Sequence, residues 1–122
     1  MSLPATTRPE LILADYIRLI DEHLDNLVNL KADHMFEIAD FAEQLHIHPT
    51  HLSNTIHELT GTSPCGLYQP RILEVARRLL AQPSYTIRQI ALLLTFEPSQ
   101  FTKWFRRFTG QTQQQYRKFL KS

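Results

Sequence analysis

The sequence predicts an all-α protein in which one small helical unit is used twice. Only three glycines occur in 122 residues, and strand signals are scarce. Apolar residues recur at spacings of three and four, the period of a helix with one buried face. Displacing the chain by 49 residues lays Pro49 on Pro98, and Thr60-Gly61 on Thr109-Gly110, without a gap.

The first helix is expected over 9–30, after the loose start MSLPATTRP. Leu13, Ile17, Ile20, Leu24 and Leu27 form its apolar stripe, while Asp21, Glu22 and Asp25 face away. The stripe either packs on the rest of the domain or, its spacing being heptad-like too, forms a seam for self-association. Helices follow at about 37–45 and 49–60, then a long one ending near 82, then 87–94, 98–109 and 112–120. Thr86 with Gln89, and Thr112 with Gln115, have the capping-box spacing, in which each side chain satisfies a free N–H at a helix start. Pro49 and Pro98 suit the first turn, where no N–H is needed. Gly61 and Gly110 stand where a helix ends and the backbone turns left-handed. Pro83 stops the long helix. Pro70 would clash with the carbonyl of Gly66, so the long helix is expected to begin near Pro70, after a separate turn at 64–68.

The repeat keeps every apolar position apolar. Ile38 falls on Ile87, Phe41 on Ile90, Ala42 on Ala91, Leu45 on Leu94 and Ile47 on Phe96. Leu52 then meets Phe101, Ile56 meets Phe105 and Leu59 meets Phe108. Such agreement marks a duplicated unit with its own small core. Each copy is a short helix, a break of three or four residues and a second helix, and small Ala42 and Ala91 let the two cross closely. This is the helix-turn-helix pattern, whose second helix fits the major groove of DNA. If Leu52, Ile56 and Leu59 face the core, Thr50, His51, Ser53, Asn54 and His57 are left outward. The matching outward set in the second copy is Ser99, Gln100, Thr102, Lys103 and Arg106. Asn and Gln pair with adenine edges and Lys with guanine, while Ser and Thr are tolerant. Arg107, Arg117 and Lys118 suit phosphates, as do Arg77 and Arg78 on the long helix. His57 matches Arg106, which puts a titratable group where the second copy has a permanent cation.

Residues 36–119 resemble the DNA-binding domain of the AraC/XylS family of bacterial transcription regulators. The most specific stretch is IRQIALLLTFEPSQFTKWFRRFTGQTQQQYRK, and TGTSP and ARRLL match that family's connecting segment. The resemblance implies two helix-turn-helix subdomains joined by a linker helix, here with an extra N-terminal helix. The divisions expected are 1–32 for the N-terminal amphipathic helix and leader, 33–65 for the first subdomain, 66–83 for the linker helix and 84–122 for the second subdomain. It also implies that base reading falls to Thr50, Ser53 and Asn54, then to Ser99, Gln100, Thr102 and Lys103. Four positions depart from the pattern. Thr95 stands where glycine is usual, the run from Phe96 to Phe101 is one residue short, Gln113 replaces a proline, and Ile72 takes a customary arginine position. The family's usual N-terminal ligand-binding β-domain is absent, so the chain reads as a short free-standing member or as the DNA-binding fragment of a larger ligand-sensing regulator.

Composition agrees with this reading and excludes others. A hydrophobic content of 43% with 20% charged residues is that of a folded globular chain. The net charge of +1 conceals a division. Residues 1–62 hold three basic residues against ten acidic ones; residues 63–122 hold ten against two. The C-terminal half thus favours an anionic partner, and double-stranded DNA is the one expected. RNA polymerase and a second copy of the chain, docked through the 9–30 helix, are further candidate partners. No apolar run reaches membrane-spanning length, no signal pattern opens the chain, and Cys65 is alone, so a cytoplasmic, reducing location is expected. His46, His48 and His51 in HIHPTH lack the cysteine or carboxylate support of a zinc site, so no metal and no cofactor is expected. Phosphate loops, nucleophile elbows and paired-acid motifs are missing, so the chain reads as no enzyme. The competing reading is a helical protein-interaction module built on the acidic first helix.

Overall fold

The computed structural model describes residues 7–121; most of the expected leader, through residue 6, and Ser122 lie outside the described residues. Seven helices and no strand occur among the described residues: α1 (Arg8–Val28), α2 (Ile38–Gln44), α3 (Pro49–Thr60), α4 (Pro64–Leu80), α5 (Ile87–Leu93), α6 (Pro98–Thr109) and α7 (Gln113–Lys121). They form two compact units, one of residues up to His23 with Phe36–Arg71, the other of Leu24–Met35 with Ile72 onward. Helices α1 and α4 each contribute a segment to both.

The first unit closes around an aromatic cluster. Phe41 of α2 forms T-shaped pairs with Tyr16 at 5.4 Å, Tyr68 at 5.1 Å and Phe36 at 5.4 Å between ring centroids. These T-shaped pairs set the positive ring edge against the negative face. Tyr16 is fully buried and donates its hydroxyl to the Pro64 carbonyl at 2.8 Å, which ties α1 to the start of α4. Burial raises the phenol pKa of both Tyr16 and Tyr68, and the Tyr68 hydroxyl is buried without a hydrogen-bond partner. His23 stacks on Phe36 at 3.8 Å, and its Nε2 accepts the Phe36 N–H at 2.9 Å. Arg71 grips both carboxylate oxygens of Asp21 at 2.7 and 2.8 Å.

The buried face of α1 runs Ile12, Tyr16, Ile20, His23, Leu24 and Leu27, whereas Leu13 and Ile17 flank it half-buried. The expected stripe therefore holds from Ile20 onward and is displaced by one residue before it. The displacement has a cause: Tyr16 brings a polar tip inward because Pro64 offers an acceptor. Since Ile20, Leu24 and Leu27 are buried within their own chain, the apolar seam expected for self-association is occupied.

Helix α4 corrects a second expectation, for it runs unbroken from Pro64 through Pro70. Tyr68, Ile72, Val75, Ala76, Leu79 and Leu80 are all buried, a single stripe at helical spacing on both sides of the proline. Each large buried side chain is worth roughly 1.5–3 kcal/mol, so the stripe outweighs the roughly 3 kcal/mol cost of an interior proline. Gly66 lies under the Thr62 side chain, whose Oγ1 would be 1.9 Å from a Cβ placed there.

In the second unit, Ile90 and Ala91 of α5 and Phe101 and Phe105 of α6 are buried with Leu94 between them. Trp104 of α6 is half-buried among Phe96, Phe101 and Phe108, at 5.2, 6.2 and 5.4 Å. Tyr116 of α7 reaches Phe105 at 5.8 Å. Gln113 is also buried, and its Nε2 has no partner.

The repeat extends to backbone geometry. After α2 the N–H of His46 bonds the Glu43 carbonyl and that of Ile47 bonds the Ala42 carbonyl, both at 3.1 Å. After α5, Thr95 bonds Leu92 and Phe96 bonds Ala91, at 3.1 and 2.8 Å. Both are Schellman stops, which need a left-handed residue. His46 and Thr95 supply it with φ of 57° and 61° although neither is glycine. The stops of α3 and α6 use Gly61 and Gly110 at φ 75° and 74°, each donating to a carbonyl four residues back at 2.8 Å. Beside them Thr60 and Thr109 donate to the Ile56 and Phe105 carbonyls and accept the N–H of Thr62 and Gln111.

Two stability predictions follow from these features. His46→Gly relieves a left-handed Cβ and is expected to stabilise by about 1 kcal/mol, whereas Gly110→Ala imposes one and costs about the same. Thermal unfolding should separate the pair by roughly 6–10 °C, at about 3–5 °C per kcal/mol for a chain of this size. Gln113→Pro removes the unpartnered amide and places proline at the first position of α7, where its N–H is not missed. A gain of about 1 kcal/mol is expected in denaturant unfolding, and a loss would show that the amide is bonded in solution.

Candidate nucleic-acid interface

Helices α3 and α6 have equal length and matching glycine C-caps, and four residues separate each from the helix before it. Pro49 and Pro98 open them. On α3 the buried side is Leu52, Thr55 and Ile56; on α6 it is Phe101 and Phe105. The opposite side of α3 presents Thr50, His51, Asn54 and His57 to solvent, with Ser53 half-buried. The opposite side of α6 presents Ser99, Gln100, Lys103, Arg106 and Arg107. Thr102 is half-buried and turns its hydroxyl back to the Pro98 carbonyl at 3.2 Å. Within each unit the outward residues named from sequence thus share one polar helix face. Leu59 does not join the core as expected: it is 42% exposed, as its counterpart Phe108 is 48% exposed, because the last turn of each helix overruns the core.

The two faces differ in charge. Helix α3 carries no Lys or Arg, and Glu58 occupies the position matched by Arg107 on α6. Exposed Arg88 on α5, Lys118 on α7 and Arg78 on α4 add to the positive charge of the second unit. The helix N-termini differ as well. His48 caps α3 by accepting the Thr50 N–H through Nδ1 at 3.1 Å, while Glu97 at the start of α6 makes no side-chain cap. The three histidines of HIHPTH do not converge, and no group of three His, Cys, Asp or Glu among the described residues is placed to hold a metal ion.

Arg117 departs from expectation. It lies half-buried on α7 and donates Nε to the Leu80 carbonyl at 3.0 Å and Nη2 to the carbonyls of Gln82, at 3.3 Å, and Tyr85. A guanidinium so committed ties the Leu80 carbonyl at the end of α4 to the Gln82 and Tyr85 carbonyls of the turn that follows. The sequence signal was thin, since position alone does not separate an arginine facing solvent from one folded under a helix end. His48 was more legible: it stands directly before a first-turn proline, the N-cap position.

Two helix pairs, each ending in an exposed polar second helix, define a double helix-turn-helix module. Comparison with known proteins agrees. Residues 41–118 match the family described as a helix-turn-helix domain, of the AraC type, and the chain belongs to that family. It is 36% identical over 93 residues to YobQ, an uncharacterized HTH-type transcriptional regulator of Bacillus subtilis (strain 168). That match takes in 73% of this chain and 39% of YobQ, so the chain spans about two fifths of its curated relative. Among solved structures, the C-terminal domain of AraT, a response regulator from Geobacillus stearothermophilus, superposes with a TM-score of 0.77 at 24% identity, covering 93% of this chain and 88% of that one. The DNA-binding domain of AdpA in complex with a target DNA gives 0.69 at 21% identity, covering 85% and 90%. These two likenesses establish the fold.

The His48 cap is directly testable. His48→Ala should lower stability by about 1 kcal/mol, and His48→Asp should retain it, because a carboxylate accepts the same N–H and suits the helix dipole. Urea denaturation of the three proteins at neutral pH checks the order.

Proposed function

We propose that this chain is the DNA-binding part of an AraC/XylS-type transcription regulator acting in the cytoplasm. It reads duplex DNA with the outward faces of α3 and α6 in two successive major grooves. The observation that carries this is the exposed face of α6, where Lys103, Arg106 and Arg107 stand beside Ser99 and Gln100 on a helix held by its buried side. Phosphates hold a protein in register and base edges supply choice, so that face contains both kinds of contact. On α3, Thr50, His51, Ser53, Asn54 and His57 offer base contacts without a fixed cation. No helix among the described residues is long and apolar enough to cross a membrane. RNA polymerase is the natural further partner of such a regulator.

The test is a footprint on duplexes selected from a random pool. One chain should protect two adjacent major grooves on one face of an asymmetric site; protection of a single groove rejects double reading. A helical protein-interaction module would instead bind duplex weakly and with little response to salt.

The charge difference gives a quantitative expectation. Lys103→Ala or Arg106→Ala should weaken binding more than Thr50→Ala or Asn54→Ala. With about five phosphate contacts, log affinity should fall against log salt with a slope of about −4 to −5. Equal losses from both helices would contradict the division of labour.

A further inference from the structure

We infer that Arg117 is a positioning residue for DNA reading by α6, acting through the turn between α4 and α5 without touching DNA. The inference rests on the DNA-reading role proposed above. The carbonyls of Leu80, Gln82 and Tyr85 converge on its guanidinium from α7. Leu80 is the last residue of α4, and Tyr85 directly precedes Thr86, the N-cap of α5. Thr86 and Gln89 then exchange bonds, Thr86 N–H to Gln89 Oε1 at 2.9 Å and Gln89 N–H to Thr86 Oγ1 at 3.0 Å. One side chain therefore bridges the end of α4 and the residue before the cap of α5.

Backbone bonds across this turn are few. Ala81 and Gln82 donate back into α4, to Arg77 and Leu79, and Tyr85 donates to the Gln82 carbonyl at 3.2 Å. A further turn residue is Pro83, which has no N–H to give. The guanidinium provides the remaining ties, and does so from α7, which also meets α6 through Tyr116 and Phe105. Helix α6 stands on α5 and α7, so the frame that aims it is closed at Arg117. Only a planar fork of donors satisfies carbonyls lying in several directions at once; an ammonium on a flexible stem does not hold the same geometry.

The experiment compares the native chain with Arg117→Gln, Arg117→Lys and, as a surface comparator, Lys118→Ala. Binding to one selected duplex is measured over a salt series, with the folded fraction of each variant determined by denaturation and divided out. Arg117→Gln and Arg117→Lys should each bind about tenfold more weakly when folded, because ordering one backbone residue costs about that factor, and their salt slope should equal the native one. Should the glutamine variant fail to fold, the lysine variant carries the same reading. Amide exchange in the lysine variant should quicken at Thr86 and Gln89. A slope shallower by about 0.9 in Arg117→Gln, a change also expected for Lys118→Ala if that residue meets a phosphate, or native affinity in Arg117→Lys, whose ammonium keeps the charge but not the fork, would make Arg117 a DNA contact and overturn the inference. Unchanged affinity of the folded variants would reduce it to a stability residue and overturn it equally. If the native chain shows no salt-dependent binding at all, the proposed function has failed and this inference falls with it.

Discussion

Helices of seven residues do not stand alone in water, and α2 and α5 are both that short. An isolated helix needs roughly 12–15 residues before it is even marginally stable. Each of these two therefore exists only because it packs against the helix after it. The whole chain answers to that constraint. It agrees with the complete burial of the alanines at 42 and 91. It explains why α1 and α4 are long and why each serves both units, since a unit of short helices must borrow surface from a neighbour to be buried.

The same constraint decides how the short helices end. A helix with seven residues cannot fray a turn and survive, so its stop must be tight. Both copies use the same pair of backbone bonds and the same left-handed residue to make it. Thr95 keeps this geometry in place of glycine and recovers part of the cost by accepting the Met35 N–H through Oγ1 at 3.0 Å. The length of the break, and hence the register in which the second helix leaves it, is set at these stops.

Much of this was legible in sequence because it rests on local rules. Prolines at 49 and 98, glycines at 61 and 110, and the Thr86–Gln89 pair each act within one turn of chain, and their helix limits agree with the structure to about a residue. What escaped depends on contacts between distant segments. Pro70 reads as a breaker until the stripe from Tyr68 to Leu80 is seen to be buried throughout. Tyr16 and His23 belong to the inner face of α1 only because the Pro64 carbonyl and the Phe36 amide meet their polar atoms. For the candidate interface, the exposure of Thr50, His51, Asn54, His57, Ser99, Gln100, Lys103 and Arg106 followed from periodicity, whereas Ser53 and Thr102 are half-buried. The placement of Arg117 was not legible, because its partners lie more than thirty residues away.

Trp104 is the single tryptophan of the chain, and it stands on α6 next to Lys103. Its ring is half-buried against Phe96 and Phe101, with exposed Phe108 one turn on. The emission of the intact protein is therefore dominated by one indole at the edge of α6, poised between an apolar stack and solvent. Such an indole shifts colour when water around it is exchanged for another surface. The second unit thus carries its own optical label, one residue from the chemistry it would report.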